Sequence, residues 1–169
     1  MTIYIGLDMA TTTGIAVYYP EDNSVICYQH KGTPVELAVY ISNVVHLVRD
    51  PNNILARSDT PIIFSAEKLH LVQNMNTVRS LCERYGYIKY SLIAAGYQVC
   101  ENGPQPPRRF INKSLYSKQH IFDLMRENFT GPFLTSNHTD AIAQAMFVAH
   151  SQGDLPKPII PTIYIGGFE

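Results

Sequence analysis

The stretch TIYIGLDMATTTGIAVYY, residues 2–19, decides the fold. Its first part, TIYIGLD (2–8), is rich in β-branched and aromatic residues and ends in an acid. A short link, Met9 to Thr12, leads into a second β-rich run, TGIAVYY (13–19). Pro20-Glu21-Asp22-Asn23 reads as a turn and SVICYQH (24–30) as a third strand. Three consecutive strands with short connections predict an antiparallel meander.

Working outward, Thr33-Pro34-Val35-Glu36 starts a helix, with Thr33 as N-cap, proline at the first turn and Glu36 completing a capping box. That helix runs to about Val48, and the polar residues 49–60 form a loop. The apolar run PIIF (61–64) predicts a buried strand that delivers Glu67 just past its end. Apolar residues at Val78, Leu81, Cys82, Tyr85, Ile88 and Leu92 then recur at helical spacing, predicting a helix over about 72–94. Val78, Leu81, Cys82 and Tyr85 read as its core stripe, part of which could equally be a dimer seam. Gly96 stops the helix, and Tyr97–Glu101 reads as a short strand. GPQPPRRFINK (103–113) reads as a proline-rich, basic connection. Helices follow at about 118–128, capped by Ser117, and at about 137–149. The expected architecture is α/β: a mixed five-stranded sheet, built of the three-strand meander plus two parallel strands and flanked by helices. Residues 1–150 form one domain, and the proline-rich residues 151–169 an extended tail.

Length fits one domain: 169 residues. Thirteen Lys and Arg against fourteen Asp and Glu exclude a globally basic nucleic-acid binder and an acidic disordered tail. The charge is nevertheless segregated. Residues 61–130 hold nine Lys and Arg against five acids, and the remainder holds four against nine. Cys27, Cys82 and Cys100 are widely spaced with no C-x-x-C, which argues against a zinc knuckle or a disulfide framework and fits a reducing compartment. No apolar stretch approaches the ~20 residues of a membrane span. The first residues lack the basic region of a signal peptide. The expectation is a cytoplasmic protein without a membrane partner.

Three acids stand out by position. Asp8 ends the first strand, Glu67 follows the fourth, and Asp140 lies in the first turn of the last helix, before an Ala-rich run suited to close packing. If strands one and four are neighbours, all three meet at one rim of the sheet. Converging carboxylates repel one another, and hard divalent cations with oxygen ligands resolve that conflict. Two such ions can activate water against a phosphodiester. Taken singly, each acid also has a plain reading: Asp8 as a turn residue, Glu67 as a surface charge, Asp140 as the N3 residue of a helix capped by Asn137. The joint topology carries the functional reading.

IYIGLDMATTTGIAVY resembles the first motif of RuvC-like Holliday-junction resolvases of phage type, members of the ribonuclease H-like superfamily. IIFSAEKLHLVQN resembles their second motif, HTDAIAQAMFVA the last, and PPRRFINKSLYSKQHIFDLM the segment between. The resemblance implies a ribonuclease H-like fold and a homodimer that cuts four-way DNA junctions symmetrically, leaving 5′-phosphate ends. It implies two Mg²⁺ ions per site, with Mn²⁺ also serving, held by Asp8, Glu67 and Asp140, and Lys118 as a catalytic phosphate contact. The family's fourth ligand lies three residues before the last Asp, where this chain has Asn137, with His138 next to it. Mn²⁺ accepts nitrogen ligands readily, so His138→Ala is expected to lower metal affinity more than Asn137→Ala. Arg108, Arg109, Phe110, Lys113, Lys118 and His70 are the expected DNA contacts, Phe110 as the base-facing aromatic. Lys118 also reads as a solvated helix-start lysine, and His70 as a surface histidine. Two other readings stand beside this one. One is a junction-binding module of the same fold without catalysis. The other is a nucleotide-binding ATPase fragment, because Asp-x-x-Thr-Thr-Thr-Gly also resembles the phosphate loop of the actin and sugar-kinase superfamily.

Overall fold

The structure, a computed structural model, describes residues 2–50, 59–68, 75–129, 131 and 133–167. β1 (Ile3–Asp8), β2 (Thr12–Tyr19) and β3 (Ser24–Lys31) form the expected antiparallel meander. The β2–β3 turn closes through Asn23, whose φ of 49° is a left-handed conformation that asparagine tolerates. α1 (Pro34–Arg49) carries the Thr33/Glu36 capping box. β4 (Ile62–Glu67) pairs parallel with β1, and β5 (Gln98–Asn102) parallel with β4, joined by α2 (Met75–Ala94).

Strand alternation divides the core in two. Ile3, Ile5, Leu7, Ile15 and Val17 face α1 and α2. Tyr4, Ala16, Tyr18, Val25 and Cys27 face α3 (Gln105–Ile111), α4 (Lys118–Glu127) and α5 (Ser136–Ser151). Among the described residues, no helix is long and apolar enough to cross a membrane.

Five expectations are corrected. The basic connection contains a helix, α3, because Pro106 and Pro107 lie in its first turn, where a missing N–H costs nothing. The sheet has six strands in the order β5-β4-β1-β2-β3-β6, not five. The added strand, β6 (Thr162–Ile165), comes from the tail and pairs parallel with β3. Gly153, in a left-handed conformation, ends α5 with a paired turn in which Gly153 N–H bonds the His150 carbonyl and Asp154 N–H that of Ala149. The chain then folds back. Leu155 and Ile163 are buried, and Tyr4 Oη donates to Asp154 at 2.7 Å. Residues 155–165 therefore belong to the domain. Cys82 is exposed, and α2 turns Ile88 and Leu92 into the core instead. Finally, α5 is capped by Thr135 rather than Asn137.

α5 lies against the sheet with almost nothing between them. A Cβ on Gly6 would stand 1.9 Å from the Ala141 carbonyl oxygen, and one on Gly14 would stand 2.2 Å from that of Asn137. Both obstacles are backbone and cannot swing aside. Gly6→Ala is expected to cost about 1–3 kcal/mol or more, the scale of core overpacking. At roughly 2–4 °C per kcal/mol for a chain of this size, thermal unfolding detects it readily. A melting point equal to wild type would contradict this account of the packing.

Candidate active site

The close seat of α5 fixes the geometry of one rim. Asp8 is the last residue of β1, beside Gly14 of β2. The parallel register aligns Leu7 with Ala66, so Glu67 at the end of β4 lies next to Asp8. Gly6, Asp8, Ser65 and Glu67 alternate onto the α5 face. Asp140 lies on α5 between its two points of contact with the sheet, at Asn137 and Ala141. One turn further on, buried Gln144 accepts a hydrogen bond from Ser65 Oγ at 3.1 Å, and Asn102 of β5 donates to Ser65 at 3.2 Å. This polar chain holds β4, β5 and α5 in register beneath the carboxylates.

Two cations enter the cluster. Arg108 of α3 grips both oxygens of Asp140, from Nε and Nη2, each at 2.9 Å. Lys118 opens α4 after its N-cap, Ser117. Its Nζ lies 2.8 Å from Asp140, 3.5 Å from Asp8 and 3.4 Å from Asn137 Oδ1. A lysine is unfavourable at a helix N-terminus, and the two carboxylates offset that. Burial opposes the positive charge of both Arg108 and Lys118, but the hydrogen bonds and charges of their acid partners outweigh it and raise both pKa values.

The acids remain under-compensated. Asp8 and Asp140 are 7% and 2% exposed. Burial pushes the Asp8 carboxyl up to about 6, with Lys118 pulling against the shift and Asp140 adding to it. Burial also pushes Glu67 up to about 7, helped by the charges of Asp8 and Asp140. Among the described residues, no three His, Cys, Asp or Glu side chains close into a finished metal cage; Lys118 spans the gap between Asp8 and Asp140. The donor set is nevertheless all hard oxygen and, even with two cations in place, carries more negative charge than its burial tolerates. That chemistry fits divalent cations of the Mg²⁺ type.

Asp8, Glu67, Asp140 and Lys118 thus come together as expected. Asn137 joins them: its Nδ2 donates to the Thr12 carbonyl at 2.8 Å, and its Oδ1 faces Lys118. His138 does not. It is buried as the N3 residue of the α5 capping box, with Nδ1 accepting from Thr135 N–H at 3.2 Å. Burial lowers its pKa. Arg108 is committed to Asp140. Phe110 stacks on His150 at 4.5 Å and meets Phe147 edge-on, so its ring is engaged within the protein. Arg109 and Lys113 are exposed. His70 lies outside the described residues. The sequence reading missed Gly6, Gly14 and Gln144. A glycine inside a buried strand is itself a signal of close backbone approach, and Gly6 and Gly14 share one sheet face.

No family model and no curated protein matches the chain. A mixed sheet whose central strand ends in a carboxylate, with α5 laid across it, defines a ribonuclease H-like fold. Among solved structures it is similar to Thermus thermophilus RuvC, with a TM-score of 0.66 at 15% identity, covering 94% of this chain and 100% of that one. The structure of T. thermophilus RuvC in complex with Holliday junction substrate matches with a TM-score of 0.69 at 15% identity and the same coverage. The chain has the RuvC fold along nearly its whole length.

A carboxyl whose pKa rises on folding supports the fold while protonated and loses that support as pH climbs from its unfolded to its folded value. For Glu67 that window runs from about 4.3 to about 7. In chelator, Glu67→Gln should melt close to wild type near pH ~5 and several degrees above it near pH ~8. A gap independent of pH would contradict the assigned electrostatics.

Proposed function

We propose that the chain is a structure-selective DNA endonuclease that resolves four-way junctions as a homodimer. One observation carries the reading. Asp8, Glu67 and Asp140, from three separate elements, converge with Lys118 on the rim of a fold shared with a RuvC bound to a Holliday junction. The segregated basic stretch, Asn102 to Phe122, flanks that rim through α3 and α4 and contains no acid. Tyr87, Tyr90 and Ile93 on α2 and Val35 and Val39 on α1 are exposed apolar side chains, which supports an assembly of two copies.

In this reading Asp8, Glu67 and Asp140 would hold two Mg²⁺ or Mn²⁺ ions, with Asn137 Oδ1 as the fourth oxygen donor. Bound there, the ions supply activation of water and neutralise charge on the phosphodiester. Arg108 fixes the plane of Asp140 through its two-pronged contact. Lys118, a flexible point charge held beside Asp8 and Asp140, would be free to turn from the carboxylates to a phosphate at the rim. Water oxygen bonds to phosphorus, the bond from phosphorus to the 3′ oxygen breaks, and that oxygen takes the proton. The products carry 5′-phosphate and 3′-hydroxyl ends.

Incubation of a labelled four-way junction with the chain and Mg²⁺ or Mn²⁺ should give paired, symmetric nicks. Asp8→Asn should bind the junction and leave it intact. Wild-type binding without cutting in either metal would leave the non-catalytic module as the better reading. For the fourth ligand this reading favours Asn137 over His138, the opposite of the order expected from the sequence. Asn137→Ala should weaken Mn²⁺ binding in calorimetry. His138→Ala should spare it and instead cost about 0.5–2 kcal/mol of stability, the range for a lost helix cap. Superimposable Mn²⁺ titrations of the two variants would contradict this.

A further inference from the structure

Arg109 is held in a way that its neighbours do not explain. It follows Arg108 on α3, and one residue along a helix turns the side chain away by about 100°. Arg108 therefore reaches inward to Asp140 while Arg109 faces solvent. Among the described residues no ion pair involves Arg109, although Arg108 and Lys118 beside it are both paired with acids. Its guanidinium carbon instead lies 4.5 Å above the Tyr116 ring, and Nη2 donates to Tyr116 Oη at 3.0 Å. The chain is built to bring that tyrosine back. Asn112, the C-cap of α3, accepts the N–H groups of Ser114 and Leu115 on its Oδ1, both at 3.0 Å. This turn returns Tyr116 beneath Arg109, immediately before Ser117 caps α4 and Lys118 enters the carboxylate cluster.

We propose that Tyr116 is a positioning residue that presents Arg109 as a preset contact for a DNA phosphate flanking the scissile one; the proposal rests on the nuclease reading. Ring and hydroxyl hold the guanidinium on one side, and the Arg109 side chain is exposed to solvent. A long exposed side chain ordinarily loses its rotamer freedom when it meets a phosphate, and here much of that loss is taken on folding. The position suits the role. Arg108 and Lys118 are tied to Asp140 from either end of the same segment, so Arg109 is the oriented cation between them whose charge is not already spent on an acid.

The test uses the full chain and a fluorescent four-way junction in chelator, with anisotropy read across a series of salt concentrations. Arg109→Gln should weaken binding several-fold and reduce the slope of log K against log salt by about one, the signature of one lost phosphate contact. Tyr116→Ala should reproduce both effects. Tyr116→Phe, which keeps the ring and loses the hydroxyl, should recover most of the slope. In the Arg109→Gln background Tyr116→Ala should add nothing. With metal present, the loss should fall on KM rather than kcat. An unchanged salt slope in Tyr116→Ala, or full additivity of the two substitutions, overturns the proposal while leaving the nuclease reading intact. If Tyr116→Ala melts early, the salt slopes of Tyr116→Phe and Arg109→Gln decide between the two outcomes. Wild-type protein that shows no salt-sensitive junction binding overturns the proposal and the nuclease reading together.

Discussion

Everything at the rim follows from the contact of the α5 backbone with β1 and β2. A helix normally rests on a sheet through interlocked side chains. Here Gly6 and Gly14 remove that layer, and the Asn137 and Ala141 carbonyls come down onto the strands. Asp140, lying between those two points, is thereby set at the level of Asp8 and Glu67. Asn137 comes close enough to bond the Thr12 carbonyl, and Gln144 close enough to meet Ser65. One bulky residue at either glycine would lift the helix and separate the acids that the strands bring together.

The same closeness creates an electrostatic cost, because buried like charges oppose one another. The two cations that answer it differ in kind. Arg108 offers a planar fork that fits a carboxylate in one orientation, so it anchors. Lys118 offers a compact charge on a flexible stem, half exposed, shared among three oxygen atoms at 2.8–3.5 Å. Such a group can change partners without disturbing the backbone. The fold thus supplies one fixed and one exchangeable counter-charge around the same acid.

Much of this was legible in the residues. β-rich runs broken by turn residues gave the meander, and an acid at the end of each of two strands marked the rim. What escaped did so for local reasons. Prolines at 104, 106 and 107 read as loop, yet at the start of α3 they sit where a helix accepts them. Prolines around 156–161 masked β6, whose four residues are too few to show alternation, so its pairing with β3 is a tertiary fact. The start of α5 was read at Asn137, but the helix is capped two residues earlier by Thr135. Thr135 prevails with support from outside the helix, since its hydroxyl also donates to Gln29 of β3 at 3.1 Å. That shift of two residues decides the fates of Asn137 and His138.

The Arg108–Asp140–Lys118 arrangement also bears on the order of events in the life of the chain. Small domains organised around a structural zinc fold only when the ion arrives, because nothing else settles their ligands. This chain carries its own counter-ions, drawn from α3 and α4, and buries two extensive apolar layers besides. The rim is thereby held by residues of the chain itself, with Asp140 clamped between a cation of α3 and a cation of α4.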